Sequence, residues 1–226
     1  MAGRLTEEAA PREQPGDWSA WLPAGALIRE LPKPEEQRDR SFIDVMESRR
    51  SATGGPVSWQ EIEALLWYAC RTREFRGIGR AGVPLEHRIS PSAGGLHAIQ
   101  IICQMSNSDR AARAYLPTRH AAALLCVSSQ AAELNREQVK AVLGIASGCT
   151  LRLIADLSKI DAAYVNEESL AWRDAGVVSA TLSFVAEWLG LRSNVLGFSG
   201  NAYLPLIGFP TNRFMAVGAV QISSSA

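Results

Sequence analysis

The chain has 226 residues, 47% hydrophobic and 20% charged, an ordinary globular composition with room for one sizeable core. Lys+Arg and Asp+Glu number 23 each, so no global basic field is available to hold nucleic acid or an anionic membrane. No apolar run reaches the roughly 18 residues of a bilayer span, and acids stand near the start where a signal peptide needs an apolar segment. The expectation is a soluble, cytoplasmic protein with neither nucleic acid nor membrane among its partners.

Residues 1–40 carry Pro11, Pro15, Pro23, Pro32 and Pro34 among many charges, a pattern that interrupts helices. They read as an extended N-terminal arm ahead of one domain over 41–226. Trp18, Trp21 and Leu22 form an apolar patch in the arm, which either docks on the body or another subunit or is carried incidentally. A short helix follows from Ser41 to Arg49-Arg50. Ser58 and Glu61 form a capping box for a second helix with the apolar stripe Trp59, Ile62, Leu65, Leu66 and Ala69. Residues 71–88 read as an arginine-rich loop.

Residues 98–105 predict a buried strand, and 113–117 and 121–128 two further extended pieces. A helix over 133–143 stops at Gly144, and 150–157 is another strand. Residues 168–189 predict a long helix that is apolar or small on nearly every face, hence a central core helix or one buried by a second subunit. A compact Gly/Pro segment over 197–210 precedes a last strand over 213–222. Strands interleaved with helices predict an α+β or α/β sandwich.

Conventional catalytic motifs are missing: there is no Walker loop, strand–helix G-x-G-x-x-G, H-E-x-x-H or G-x-S-x-G. Cys70, Cys103, Cys126 and Cys149 are widely spaced, and His87, His97 and His120 are scattered, so neither a disulfide framework nor a metal centre is expected. Two segments stand out. Arg49-Arg50-Ser51 offers planar guanidinium donors beside a hydroxyl, suited to a phosphate monoester, although two arginines at a helix end also occur without a ligand. Pro91-Ser92-Ala93-Gly94-Gly95 leaves bare backbone against which a flat ligand can lie, or is simply a tight turn. His97 follows it, and either faces such a ligand or bonds locally.

Taken in order with the 59–70 helix, Tyr164, Trp172-Arg173-Asp174-Ala175-Gly176 and the last strand, these segments resemble the FMN-dependent nitroreductase superfamily. The likeness is to its SagB-type branch, the thiazoline and oxazoline dehydrogenases of peptide maturation. The resemblance runs over about 31–222 and implies a nitroreductase-like α+β sandwich with a central antiparallel or mixed sheet. It also implies a homodimer with long helices packed across the two-fold and FMN at the subunit boundary. Arg49, Arg50 and Ser51 would then hold the FMN phosphate and ribityl chain. Pro91, Ser92, Ala93, Gly94 and Gly95 would line the isoalloxazine, with Leu196 and Gly197 approaching from the far end.

The implied activity is an FMN-dependent oxidase or dehydrogenase desaturating a peptide- or carrier-bound intermediate in natural-product biosynthesis. The branch often has Lys-Tyr where this chain has Ala163-Tyr164, and a lone tyrosine is a poor base near neutral pH. Either another group assists Tyr164, with Arg173 the candidate, or the azoline reaction is not this chain's. Two other readings stand beside it: an NAD(P)H-dependent nitro- or quinone-reductase, and a flavin-free scaffold or binding subunit. The basic loop either steers an acidic leader peptide or a carrier phosphate, or is a solvated surface.

Overall fold

The computed structural model describes residues 8–35, 39–79, 82–107 and 111–225. Its elements run β1 (Ala10–Pro11), β2 (Leu27–Glu30), α1 (Phe42–Ser48), α2 (Trp59–Cys70), β3 (Glu74–Ile78) and β4 (Pro84–His87). Then come β5 (Ile99–Met105), β6 (Ala111–Leu116), β7 (Ala121–Cys126), α3 (Ser129–Leu143), β8 (Cys149–Asp156) and α4 (Leu157–Asp161). The chain ends with β9 (Tyr164–Val165), α5 (Glu168–Trp188), β10 (Leu191–Leu196) and β11 (Phe214–Ser224).

Seven strands form one sheet in the order β10-β11-β8-β5-β6-β7-β2, with every neighbouring pair antiparallel. The middle strands β8 and β5 are covered on both faces, which is why β5 is apolar at every position but Gln100 and Gln104 rather than strictly alternating. On one face Ile101, Cys103, Leu151 and Leu153 pack with Leu65 and Ala69 of α2 and Leu182 of α5. On the other, Ile102, Ala114 and Ile154 meet Ala131 of α3 and the aromatic group Tyr203, Phe209 and Phe214. The result is an α+β sandwich with helices on both sides of an antiparallel sheet. No helix among the described residues is long and apolar enough to cross a membrane.

The local rules behind these elements are visible. Ser58 and Glu61 close the capping box on α2, and Gly144 ends α3 in the left-handed conformation. α3 starts at Ser129 rather than 133, because Ser128 accepts from the Ala131 N–H at 3.1 Å and caps it there. Two segments differ from expectation. Leu27–Glu30, inside the segment read as an arm, is the edge strand of the main sheet, paired to β7. The region 71–88 contains the β3–β4 hairpin, a two-stranded sheet of its own. Its strands are short and carry Glu74, Arg76 and Glu86, so no apolar alternation announces them.

Trp18 and Trp21 both dock on the body. Trp21 packs edge-on against Phe209 at 4.7 Å between ring centres, and Trp18 Nε1 donates to Asp156 Oδ2 at 3.1 Å. They tie the arm across the end of the sheet.

Candidate functional site

α1 begins at Ser41, whose Oγ accepts from the Asp44 N–H at 3.1 Å, and it ends where Arg49 turns out of helical geometry. From there 51–55 runs beside the sheet edge. Ser51 bridges Ser193, Asn194 Nδ2 donates to the Ala52 carbonyl at 2.7 Å, and Gly55 pairs with Ser224. A Cβ on Gly54 would lie 1.8 Å from the Ser224 carbonyl oxygen, so this close approach excludes any other residue.

The two arginines part company here. Arg50 is exposed and donates from Nη1 to the carbonyls of Glu47 (2.6 Å) and Arg49 (2.8 Å), closing the end of its own helix. Arg49 is half-buried and lines a groove of about 490 Å³ between the outer face of α5, Leu196 and Gly218. Its guanidinium has no hydrogen-bond or ion-pair partner among the described residues. The groove is floored by Ala175, Gly176 and Ser179, and its far wall is shaped by the bulge in β11 between Ala216 and Gly218. Leu196 therefore shares the site with Arg49. Gly197 follows it, with open space where a side chain would be.

The 91–95 turn is organised by a residue whose role the sequence does not announce. Asp174, buried in α5, accepts from Ser92 Oγ on one oxygen and from the Ala93 N–H on the other at 3.0 Å. Ser92 Oγ in turn accepts from the His97 N–H at 2.9 Å. Gly94 and Gly95 have φ of 58° and 68°. A Cβ on Gly94 would fall 2.6 Å from Tyr164 Oη, so the tyrosine hydroxyl rests against this turn, while Gly95 faces open space. Tyr164 is held there by β9, which pairs with β1 through Pro11. Arg173 is exposed, with no hydrogen bond or ion pair among the described residues, so within the chain it does not assist Tyr164.

The two expected halves of the site thus lie on opposite sides of α5. Two residues along a helix rotate a side chain by about 200°, so Asp174, facing the turn, points away from Trp172 and Gly176, which face Arg49. One chain brings Arg49 to Leu196 and brings Gly94 to Tyr164, but does not bring Arg49 to the turn.

His97 bonds locally: Nε2 lies 2.9 Å from the Glu86 carbonyl, and the residue sits in the left-handed region at φ 50°. Burial first, then the nearby Arg88 cation, push its pKa down from 6.5 to about 4. Because the folded pKa is the lower one, only the unfolded chain takes the proton between these values. Stability is untouched above 6.5, falls as pH drops from 6.5 to about 4, and levels off below. His97→Asn keeps a residue that tolerates positive φ, and it is expected to flatten this acid limb while costing about 1 kcal/mol at neutral pH from the lost hydrogen bond. Urea midpoints at pH 7 and pH 4.5 check this; an unchanged acid limb would contradict it.

Of the expected basic loop, Arg76 pairs with Glu74 and Arg88 with Glu86, the latter pair nearly buried. Arg71 stacks on Trp67 with its guanidinium 4.1 Å from the ring centre. Arg80 lies outside the described residues.

No protein-family model matches the sequence, and no curated protein does. Solved structures do. A protein described as a nitroreductase from Ralstonia eutropha superposes with a TM-score of 0.69 at 14% identity, over 97% of this chain and 99% of that one. The Escherichia coli microcin synthetase McbBCD complex with truncated pro-MccB17 bound gives 0.62 at 15% identity, over 92% and 84%. A protein described as a nitroreductase in complex with FMN from Desulfovibrio desulfuricans gives 0.50 at 12% identity, over 83% and 88%. At these identities the likeness is one of architecture, and the architecture of this chain is the nitroreductase fold.

Proposed function

We propose that the chain is an FMN-dependent oxidoreductase that works as a homodimer and desaturates a peptide- or carrier-bound intermediate, an azoline-to-azole type of oxidation in natural-product biosynthesis. The observation that carries the flavin reading is Arg49, an unpartnered guanidinium in a groove floored by small residues, within a fold whose solved neighbours include an FMN complex. Arg49, with Ser51 beside it, would hold the phosphate. Leu196 lines the same groove with Gly197 next in the chain, and the 91–95 turn would offer its bare backbone to the isoalloxazine. When bound, FMN supplies the acceptor for a hydride removed from substrate.

Since the two halves lie on opposite sides of α5, a complete site takes Arg49 from one protomer and the turn from its partner. The surface for such a dimer is available: Trp172, Phe42, Met46 and Val195 are all at least 44% exposed. α5, apolar or small nearly all round, buries one face on the sheet and leaves the other for a second copy.

Tyr164 would take the substrate proton, since its hydroxyl lies at the turn that would face the flavin; Arg173 does not assist it within one chain, so in this reading the assisting group comes from the second protomer or the substrate. The test is to offer an azoline-bearing peptide under air and look for a product lacking two hydrogens. Tyr164→Phe is expected to keep its flavin and slow this oxidation by about 10²-fold. An unchanged rate would move the base elsewhere. The neighbours described as nitroreductases favour a second reading, an NAD(P)H-dependent reductase. Rapid flavin bleaching by NAD(P)H, with no azole formed, would select it.

A further inference from the structure

A second constellation lies at the end of the sheet, apart from the flavin segments. Lys159 in α4 is only 6% exposed, yet its Nζ has no hydrogen bond or ion pair among the described residues. Its one contact of note is the Trp18 ring, with Nζ 4.9 Å from the centre. The two carboxylates nearby are already engaged. Glu86 accepts from Arg88 (2.9 and 2.5 Å) and from Thr72 Oγ1 (2.6 Å). Asp156 accepts from Arg213 (3.0 and 2.7 Å), Trp18 Nε1 (3.1 Å) and Ser158 Oγ (2.6 Å).

Three cations, Lys159, Arg88 and Arg213, therefore face two carboxylates, and the amine is the one left over. A buried cation without a counter-charge is costly unless something else supplies one. Lys159 lines a cavity of about 340 Å³, within the range of small-molecule sites. Trp18 and Trp21 from the arm, with Tyr115 and Leu116 of β6, give it an apolar side, and Glu86, Arg88, His97 and Asp156 line the side near the amine.

We propose that this cavity binds a small organic monoanion, a carboxylate on a flat apolar body, with Lys159 Nζ as the charge partner and the arm's tryptophans as the cover. The single uncompensated cation sets the charge of the ligand at one. The aromatic walls set the flat body. The carboxylates already present are hydrogen-bonded to other donors and act on the amine only through space. The proposal rests on this end of the sheet alone and is independent of the flavin reading.

The probe is 4-fluorobenzoate, titrated at millimolar concentration into the full chain and followed by ¹⁹F line broadening. The chain has only three lysines, Lys33, Lys140 and Lys159, so controls are few. Lys159→Met, apolar and of similar length, is expected to weaken binding by about tenfold or more, whereas Lys159→Arg keeps it within a few fold. Lys33→Met and Lys140→Met should leave it unchanged.

A second measurement needs no variant. Burial, and then Arg88, lower the Lys159 pKa from 10.5 to about 8, so affinity should fall as pH rises through 8. His97 ionises near 4, Glu86 is held low by Arg88 and Thr72 against the effect of burial, and burial raises Tyr115. Asp156 is tied to Arg213, and Arg119 at the rim pairs with Glu30. No broadening with the wild-type chain, equal affinity in Lys159→Met, or a flat profile between pH 7 and 9 would each overturn the proposal.

Discussion

Arg49→Ala is expected to lower FMN affinity by about 10²-fold or more, while Arg50→Ala changes it by no more than about threefold. A charge-assisted hydrogen bond contributes about 1.5–3 kcal/mol, and an unpartnered guanidinium in a groove has its donors free to make more than one. Arg50 has the same chemistry but a different commitment, because its Nη1 already serves the last carbonyls of α1. Adjacent residues that look interchangeable in the sequence are thus predicted to be very unequal. Equilibrium dialysis of each variant against FMN decides this, with sedimentation confirming that the oligomer is intact. Equal losses in the two variants would mean that the phosphate grip is shared.

The second large effect is expected at Asp174. Asp174→Ala removes the acceptor of both Ser92 Oγ and the Ala93 N–H in a part-buried setting, leaving two donors unsatisfied at about 1–3 kcal/mol each. A loss of about 2–6 kcal/mol in unfolding free energy follows, together with a loosened 91–95 turn. Asp174→Asn retains an acceptor for one donor, and the Ser92 hydroxyl can rotate to accept from the amide, so its cost should be about 1–2 kcal/mol. Urea unfolding of the three proteins measures this. If Asp174→Ala were as stable as wild type, the turn would be held by something other than this carboxylate.

Several elements of the fold are legible in the amino-acid sequence because local chemistry alone dictates them. The α2 capping box and the largely apolar run of β5 are of this kind, and both lie where the pattern puts them. The long helix is legible over 168–189 and extends over Glu168–Trp188. Edge elements are not legible in this way. β2 and the β3–β4 hairpin are short and mostly exposed, so burial never imposed a period-two pattern on them.

For the site, residue type marks Arg49-Arg50-Ser51 and the 91–95 turn, but not their division between the two sides of α5. Nor does it show the role of Asp174, marked only as part of the 172–176 segment, whose partners at 92 and 93 are about 80 residues distant in the chain, a pairing only the fold creates. Lys159 is visible in the sequence only as the lysine nearest Tyr164; its burial under Trp18 is something only the fold shows.

FMN is the group on which the proposed chemistry depends. The direct measurement is the absorbance spectrum of the purified protein, with released flavin identified by chromatography and the particle mass measured on the same sample. The expected result is FMN at close to one per 24.4 kDa chain in a particle of two chains. A colourless protein that also refuses added FMN would contradict it.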